Sequence, residues 1–353
     1  MSMLVDIHKK YGDFSLDVCF ETDRGIMGIL GASGCGKSLT LKSIAGIEKP
    51  DRGVIELNGR TLFDSRKGIC LKPQERKVAY LFQNYALFPN MTVRQNILCG
   101  LYFEKDRVKK EQICQEFLEN MQLSGLEDRY PEQLSGGQQQ RTALARILVN
   151  RPEAILLDEP FSALDAHLRE KTLVETRNLL HEIDSVNIAV THDRDEAYSL
   201  CSTISLMDAG RILTYGKTKT VFAHPETVTG ASMTGCKNIE KAIRIDAHTV
   251  EVPAWNVRYE AEGTIPDEPL SVGVRAHYFN EDCGKNRYPV IVEEIVEEPF
   301  AQIIRFRYEG QKKETEALWW RLGKEIHIEK GRLELGIEPE NILLLKKDWM
   351  EKR

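Results

Sequence analysis

The chain has 353 residues, enough for two or three domains with sizeable cores. It is 42% hydrophobic and 29% charged with a net charge of −6, an ordinary globular balance that gives no electrostatic basis for nucleic acid as the main partner. Its eight scattered cysteines contain no C-x-x-C pair, which argues for reduced thiols and against a disulfide framework or a zinc site. The opening "MSMLVDIHKKYGDF" lacks the apolar run of a signal peptide, and no window approaches the ~18 apolar residues a spanning helix needs.

In chain order, short apolar runs alternate with helical patterns up to about residue 230, the pattern of an α/β domain. "GIMGIL" (25–30), "VAYLF" (78–82), "AILLD" (154–158) and "NIAVTH" (187–192) are predicted as buried strands of a parallel sheet covered on both faces. "SLTLKSIAGI" (38–47) and "AHLREKTLVETRNLLHEI" (166–183) have helical spacing. Residues 95–133 are rich in charge and poor in β-branched runs, so they are expected to form a helical insertion. After "FAHPETVTGASMTG" (222–235) the pattern changes, and a domain boundary is placed near 233, giving domains 1–233 and 234–353. "VGVRA", "YPVIVEEIVEE", "QIIRFRYEG", "KEIHIEK" and "LELGIEPENILLL" are predicted strands of a small all-β barrel or sandwich.

The chemistry starts at residues 31–38, "GASGCGKS", which fit G-x-x-x-x-G-K-S/T between a predicted strand and a predicted helix. Gly31, Gly34 and Gly36 let backbone N–H groups curl around a polyphosphate at a helix N-terminus. Ala32, Ser33, Cys35 and Leu39 belong to the same cradle. Lys37 is expected to reach the β- and γ-phosphates, and Ser38 to ligate Mg²⁺. The strand "AILLD" delivers Asp158 and Glu159 at its C-terminal end, where α/β sheets place ligands. Asp158 is read as a metal-shell carboxylate and Glu159 as the general base for the attacking water. Gln83 and His192 close two other strands and would project toward the same phosphates, and Tyr11 is a candidate to stack on adenine. A second glycine pair lies in "LSGGQQQRTALARIL" (134–148), at the mouth of an amphipathic helix over 138–149. Ser135 offers a hydroxyl there and Gly136 and Gly137 bare N–H groups, so this second phosphate cradle predicts a second chain.

The order of the P-loop, "FQ" (82–83), "LSGGQ" (134–138), "LLDEP" (156–160), "SALD" (162–165) and "THD" (191–193) resembles that of ATP-binding cassette (ABC) ATPases over the whole first domain. The resemblance implies an α/β P-loop NTPase fold with a helical insertion, with ATP and Mg²⁺ as cofactors. It makes Gln83 the Q-loop glutamine and a metal-shell group, Asp165 the D-loop aspartate and His192 the switch histidine. Ser135, Gly136, Gly137, Gln138 and Asp165 would meet the nucleotide of a second copy in an ATP-sandwich homodimer. "LSVGVRAHYF" (270–279) and "LELGIEPENILLL" (333–345) are similar to the OB-like, TOBE-type regulatory domain of binding-protein-dependent importers. "LFDSRKGICLKPQERKVAYLFQ" (62–83) and "TGCKNI" (234–239) resemble molybdate importer ATPases, while sulfate, polyamine, iron(III) and sugar importers share the plan. The implied setting is the cytoplasmic face of the membrane, peripheral, with transmembrane permease subunits as partners and an extracellular solute-binding protein indirectly. A soluble ABC ATPase without a transport role is the alternative. Lys237, Ser271 and Arg275 are candidate anion contacts of the second domain, with solvated surface positions as the other reading.

Overall fold

Residues 1–267 and 270–346 are described by a computed structural model, apart from the side chain of Ala166. They divide into two compact units, 1–218 and 219–353.

In the first unit, β1 (Ser2–Tyr11) and β2 (Phe14–Asp23) form an antiparallel hairpin closed through Gly12, whose φ of 61° suits the tight loop. Then come β3 (Gly25–Leu30), α1 (Lys37–Ala45), β4 (Arg52–Leu57), β5 (Arg60–Asp64), β6 (Ile69–Cys70) and β7 (Val78–Leu81). The helices α2 (Val93–Gly100), α3 (Arg107–Asn120) and α4 (Gly136–Leu148) precede β8 (Ala154–Asp158). The unit finishes with α5 (Ala166–Glu182), β9 (Val186–Thr191), α6 (Arg194–Leu200), β10 (Thr203–Asp208) and β11 (Arg211–Lys217). The eleven strands make one sheet in the order β6-β5-β4-β1-β2-β11-β10-β3-β9-β8-β7.

The predicted parallel strands are present, with β10, β3, β9, β8 and β7 running parallel side by side. The sheet as a whole is mixed, because β1, β2, β4, β5 and β6 add antiparallel pairs at its other end. Near-continuous apolar strands have a clear cause here. Ile155 and Leu157 of β8 enter the core built with α2–α6, while Ala154 and Leu156 enter the core on α1. Both faces are covered, so neither can be polar. The insertion is helical as expected: α2 starts on a Thr92 cap and α3 on an Asp106 cap, each side chain accepting backbone N–H groups of the first turn.

Among the described residues the second unit contains α7 (Thr218–Ala223, entered from the last residue of the first unit), α8 (Val228–Met233) and nine strands. The strands are β12 (Asn238–Arg244), β13 (Thr249–Val252), β14 (Val257–Glu260), β15 (Leu270–Val274), β16 (Tyr288–Glu297), β17 (Ala301–Tyr308), β18 (Leu318–Gly323), β19 (Gly331–Leu335) and β20 (Leu343–Lys346). They form two antiparallel sheets, β14-β13-β12-β15-β20 and β18-β17-β16-β19. The units meet before α8 rather than near 233, because α8 packs on β15 and β20 and Lys346 N–H donates to the Glu226 carbonyl at 2.8 Å. The predicted strand "KEIHIEK" (324–330) is absent. The side-chain amide of Gln302 donates instead to the carbonyls of Lys324 (3.2 Å) and Ile326 (2.9 Å), and the chain turns after Gly323. Trp320 is buried and donates from Nε1 to the Phe279 carbonyl at 3.0 Å.

Arg275 is neither a solvated residue nor an open anion contact. It is 8% exposed, and its guanidinium donates to the Thr234 carbonyl (2.6 Å), the Thr234 hydroxyl (3.2 Å) and the Phe222 carbonyl. Lys237 is exposed and Ser271 half-buried on β15.

Candidate nucleotide site

The parallel strands β3, β7, β8 and β9 end at one edge, and the polar residues predicted for catalysis lie there. After β3 the chain turns through Gly31, whose added Cβ would stand 2.3 Å from the Met207 carbonyl oxygen and 2.6 Å from Cys35 Sγ. Only a residue without a side chain fits between these strands. Gly34 (φ 82°) and Gly36 (φ 109°) then bring the backbone round in left-handed conformations, and α1 starts directly after Gly36. Ala32, Ser33 and Gly34 are exposed, and the loop leads into a helix start, where free N–H groups favour an anion. Lys37 is 4% exposed and folds back, donating from Nζ to the carbonyls of Gly31 (2.8 Å) and Ala32 (2.9 Å). Leu39 packs partly against the core beneath. Cys35 is buried, and that burial pushes its thiol up while nearby Lys37 opposes the shift.

Ser38 and Asp158, far apart in sequence, meet: the Ser38 hydroxyl donates to Asp158 Oδ1 at 2.7 Å. Tyr80 of β7 takes the other carboxylate oxygen, its hydroxyl donating to Oδ2 at 2.7 Å. Burial first, and Asp158 second, drive the Tyr80 phenol far above its ordinary range, so it remains a donor. A hydroxyl and a carboxylate oxygen converging in this way are hard donors that fit Mg²⁺.

Glu159 follows with a φ of 46°, an uncommon conformation for a residue with a side chain, held by its N–H donating to the Val190 carbonyl at 3.0 Å. Its carboxylate is bracketed. Gln83 Nε2 donates to Oε2 at 3.2 Å, and His192 Nδ1 lies 3.2 Å from Oε1. Beside it is a cleft of about 470 Å³ lined by Gln83, Asp158 and Ser162 among others. The next layer fixes the chain on both sides of His192: the Thr191 hydroxyl donates to Glu196 Oε2 at 2.7 Å, and Asp193 caps α6.

Tyr11 is 66% exposed at the tip of the β1–β2 hairpin. Asp165 is the cap residue of α5, yet its side chain makes no cap hydrogen bond. Ser135 caps α4, which starts at Gly136, two residues earlier than predicted: its hydroxyl accepts from Gln138 N–H at 3.4 Å, and Gln138 Oε1 accepts from Ser135 N–H at 2.9 Å. At Gly136 an added Cβ would stand 2.9 Å from Leu164 Cδ2, the movable end of a side chain, so its own chain gives only a weak reason for glycine there. Gly137 has no such reason, as its nearest neighbour would be Thr172 Oγ1 at an ordinary 3.8 Å.

Sequence reasoning missed Tyr80, which looks like one more apolar residue of "VAYLF". Strand alternation was the available signal, because it puts Tyr80 on the α1 face of β7, opposite to Ala79 and Leu81.

The ABC transporter family model matches residues 16–162. The sulfate/thiosulfate import ATP-binding protein CysA of Bradyrhizobium diazoefficiens is 41% identical over 73% of this chain and 75% of its own length. The spermidine/putrescine import ATP-binding protein PotA of Clostridium novyi is 35% identical over 90% of this chain and 89% of its own. Among solved structures, a dimeric post-hydrolysis state of the ATP-binding cassette MJ0796 bound to ADP and Pi matches with a TM-score of 0.53 at 28% identity, covering 62% of this chain and 99% of that one. A P-loop, a Ser–Asp pair and a bracketed glutamate on one sheet edge are what nucleotide hydrolysis requires, and the relatives agree: this chain belongs to the ATP-binding subunits of ABC importers, an ATPase whose hydrolysis is coupled to transport.

Proposed function

We propose that Glu159 is the general base of this ATPase, and that the bracket formed on it by Gln83 and His192 is the observation that carries the reading. A carboxylate between an amide and an imidazole is oriented to accept a proton from a water attacking the γ-phosphate. The P-loop residues Gly31–Leu39 hold the phosphates, with Lys37 leaving its two carbonyl partners for the β- and γ-oxygens. Ser38, Asp158 and Gln83 are the groups that would hold Mg²⁺, which when bound neutralises charge on the phosphates. Tyr11 stacks on adenine.

The working unit in this reading is a homodimer. Ser135, Gly136, Gly137, Gln138 and Asp165 of one copy complete the site of the other, which supplies a reason for Gly137 that its own chain does not. The dimeric state of the matched cassette supports this. The assembly lies peripherally on the cytoplasmic face of the membrane; among the described residues no helix is long and apolar enough to cross it. Permease subunits dock on a groove of about 1020 Å³ between β7 and the helical insertion, where Phe88, Tyr102 and Phe103 are exposed. An extracellular solute-binding protein acts through the permease.

The cargo we propose is a small tetrahedral oxyanion. Residues 62–83 and 234–239 resemble molybdate importer ATPases, and relatives such as CysA are named for sulfate and thiosulfate. A polyamine is the second reading, favoured by the PotA alignment over 90% of the chain. The second unit is read as the OB-like, TOBE-type regulatory domain from about residue 234. The test is reconstitution with the permease: ATPase stimulation is measured with binding protein loaded with molybdate, sulfate or spermidine. Stimulation by an oxyanion is expected. Stimulation by spermidine alone would replace the cargo, and no association with any membrane partner would remove the transport role.

A further inference from the structure

Gln83 lies inside a turn whose backbone is held in a rarely populated form. Tyr85 N–H donates to the Phe82 carbonyl at 2.8 Å, closing the turn around Gln83, and Ala86 N–H donates to Asn84 at 2.7 Å. Both Tyr85 (φ 59°) and Ala86 (φ 44°) are left-handed, two such residues in succession and neither a glycine. Isolated left-handed residues with side chains are uncommon, and an adjacent pair persists only where its surroundings enforce it.

The enforcement comes from one side chain on α4. Arg146 donates from Nη2 to the Tyr85 carbonyl at 2.9 Å and from Nη1 to the Ala86 carbonyl at 2.7 Å. The guanidinium is a planar fork, so two nitrogens at a fixed spacing hold the two successive carbonyls, where a lysine would offer a single rotatable ammonium on a shorter reach. Its plane also lies over the Phe88 ring, 5.4 Å from the centroid. On the other side the Tyr85 hydroxyl donates to the Pro160 carbonyl at 3.3 Å, next to Glu159.

We propose that Arg146 is a positioning residue of the ATPase: its fork holds the 82–86 turn in the form that presents Gln83 to Glu159. The proposal rests on the assignment of Gln83 made above.

The test uses the full chain with four variants, Gln83→Ala, Arg146→Lys, Arg146→Ala and Arg146→Ala/Ala86→Gly, measuring kcat and KM for ATP with nucleotide affinity by fluorescence as a check of folding. Arg146→Lys and Arg146→Ala are expected to lower kcat about tenfold with KM and nucleotide affinity within twofold of wild type. Adding Ala86→Gly should restore at least half of the loss, since glycine takes the left-handed conformation without strain. If Gln83→Ala is impaired while both Arg146 variants keep wild-type kcat, the positioning role is overturned and the Gln83 assignment stands. If Gln83→Ala itself keeps wild-type kcat, that assignment fails and the proposal with it. A loss in the Arg146 variants that Ala86→Gly does not relieve also overturns it, because a packing defect would behave that way.

Discussion

Tyr80 and Asp158 share a hydrogen bond of 2.7 Å in which the buried phenol fixes one carboxylate oxygen while Ser38 engages the other. Partners behind a metal-binding carboxylate typically change metal affinity 10–100-fold when lost. Tyr80→Phe removes the hydroxyl and keeps the ring, so Mg²⁺ affinity in the presence of ATP is expected to fall about tenfold. Mn²⁺ titration followed by electron paramagnetic resonance reads this directly, and an unchanged affinity would remove Tyr80 from the site.

The close approach at Gly31 gives a second expectation. In Gly31→Ala, the new methyl would meet the Met207 backbone carbonyl at 2.3 Å, and a backbone atom cannot swing aside. The variant should lose ~2–3 kcal/mol of stability, the upper range for overpacking, together with nucleotide binding. Chemical denaturation and fluorescent-nucleotide titration measure the two effects.

Cys35 supplies a pH dependence. Its thiol is raised above its ordinary value of 9.0, mainly by burial, and thiolate is the reactive form. Alkylation by iodoacetamide should therefore be slow at pH 8 and climb only at higher pH, read site by site by mass spectrometry against exposed Cys70 and Cys99. The protonated thiol's contribution to stability is full below the unfolded value and is lost as pH rises through the higher folded one. Alkylation of Cys35 at pH 8 as fast as at the exposed cysteines would contradict the burial.

In the second unit, the Tyr259 and Tyr308 hydroxyls pair at 2.6 Å with both residues buried. Tyr308→Phe leaves the Tyr259 hydroxyl alone, a loss of ~1–3 kcal/mol. Urea unfolding of the full chain should show the loss, while the rate of ATP hydrolysis stays at the wild-type value.

Much of this was readable from the residues because the chemistry lies in contiguous motifs anchored to strands. "GIMGIL" and "AILLD" match β3 and β8, since a strand covered on both faces must be apolar throughout. The rest depends on contacts between distant residues. Tyr80 finds Asp158 only once β7 and β8 pair, and Arg146 meets Tyr85 only once α4 packs against the turn. "KEIHIEK" alternates like a strand, yet its carbonyls are taken by Gln302 from another element. Arg275 looked like surface, and nothing local shows the carbonyls of Thr234 and Phe222 that bury it.

In the proposed mechanism Glu159 drives hydrolysis in a site completed by a second copy. Glu159→Gln preserves the side chain's shape and can still accept from Gln83, but it cannot take the proton. The direct measurement is the oligomeric state of this variant by light scattering, with and without saturating ATP, alongside its rate. The expected result is an ATP-dependent dimer with hydrolysis reduced at least ~100-fold, the low end of general-base contributions. A variant that stays monomeric at saturating ATP, or that hydrolyses ATP at the wild-type rate, would contradict the account.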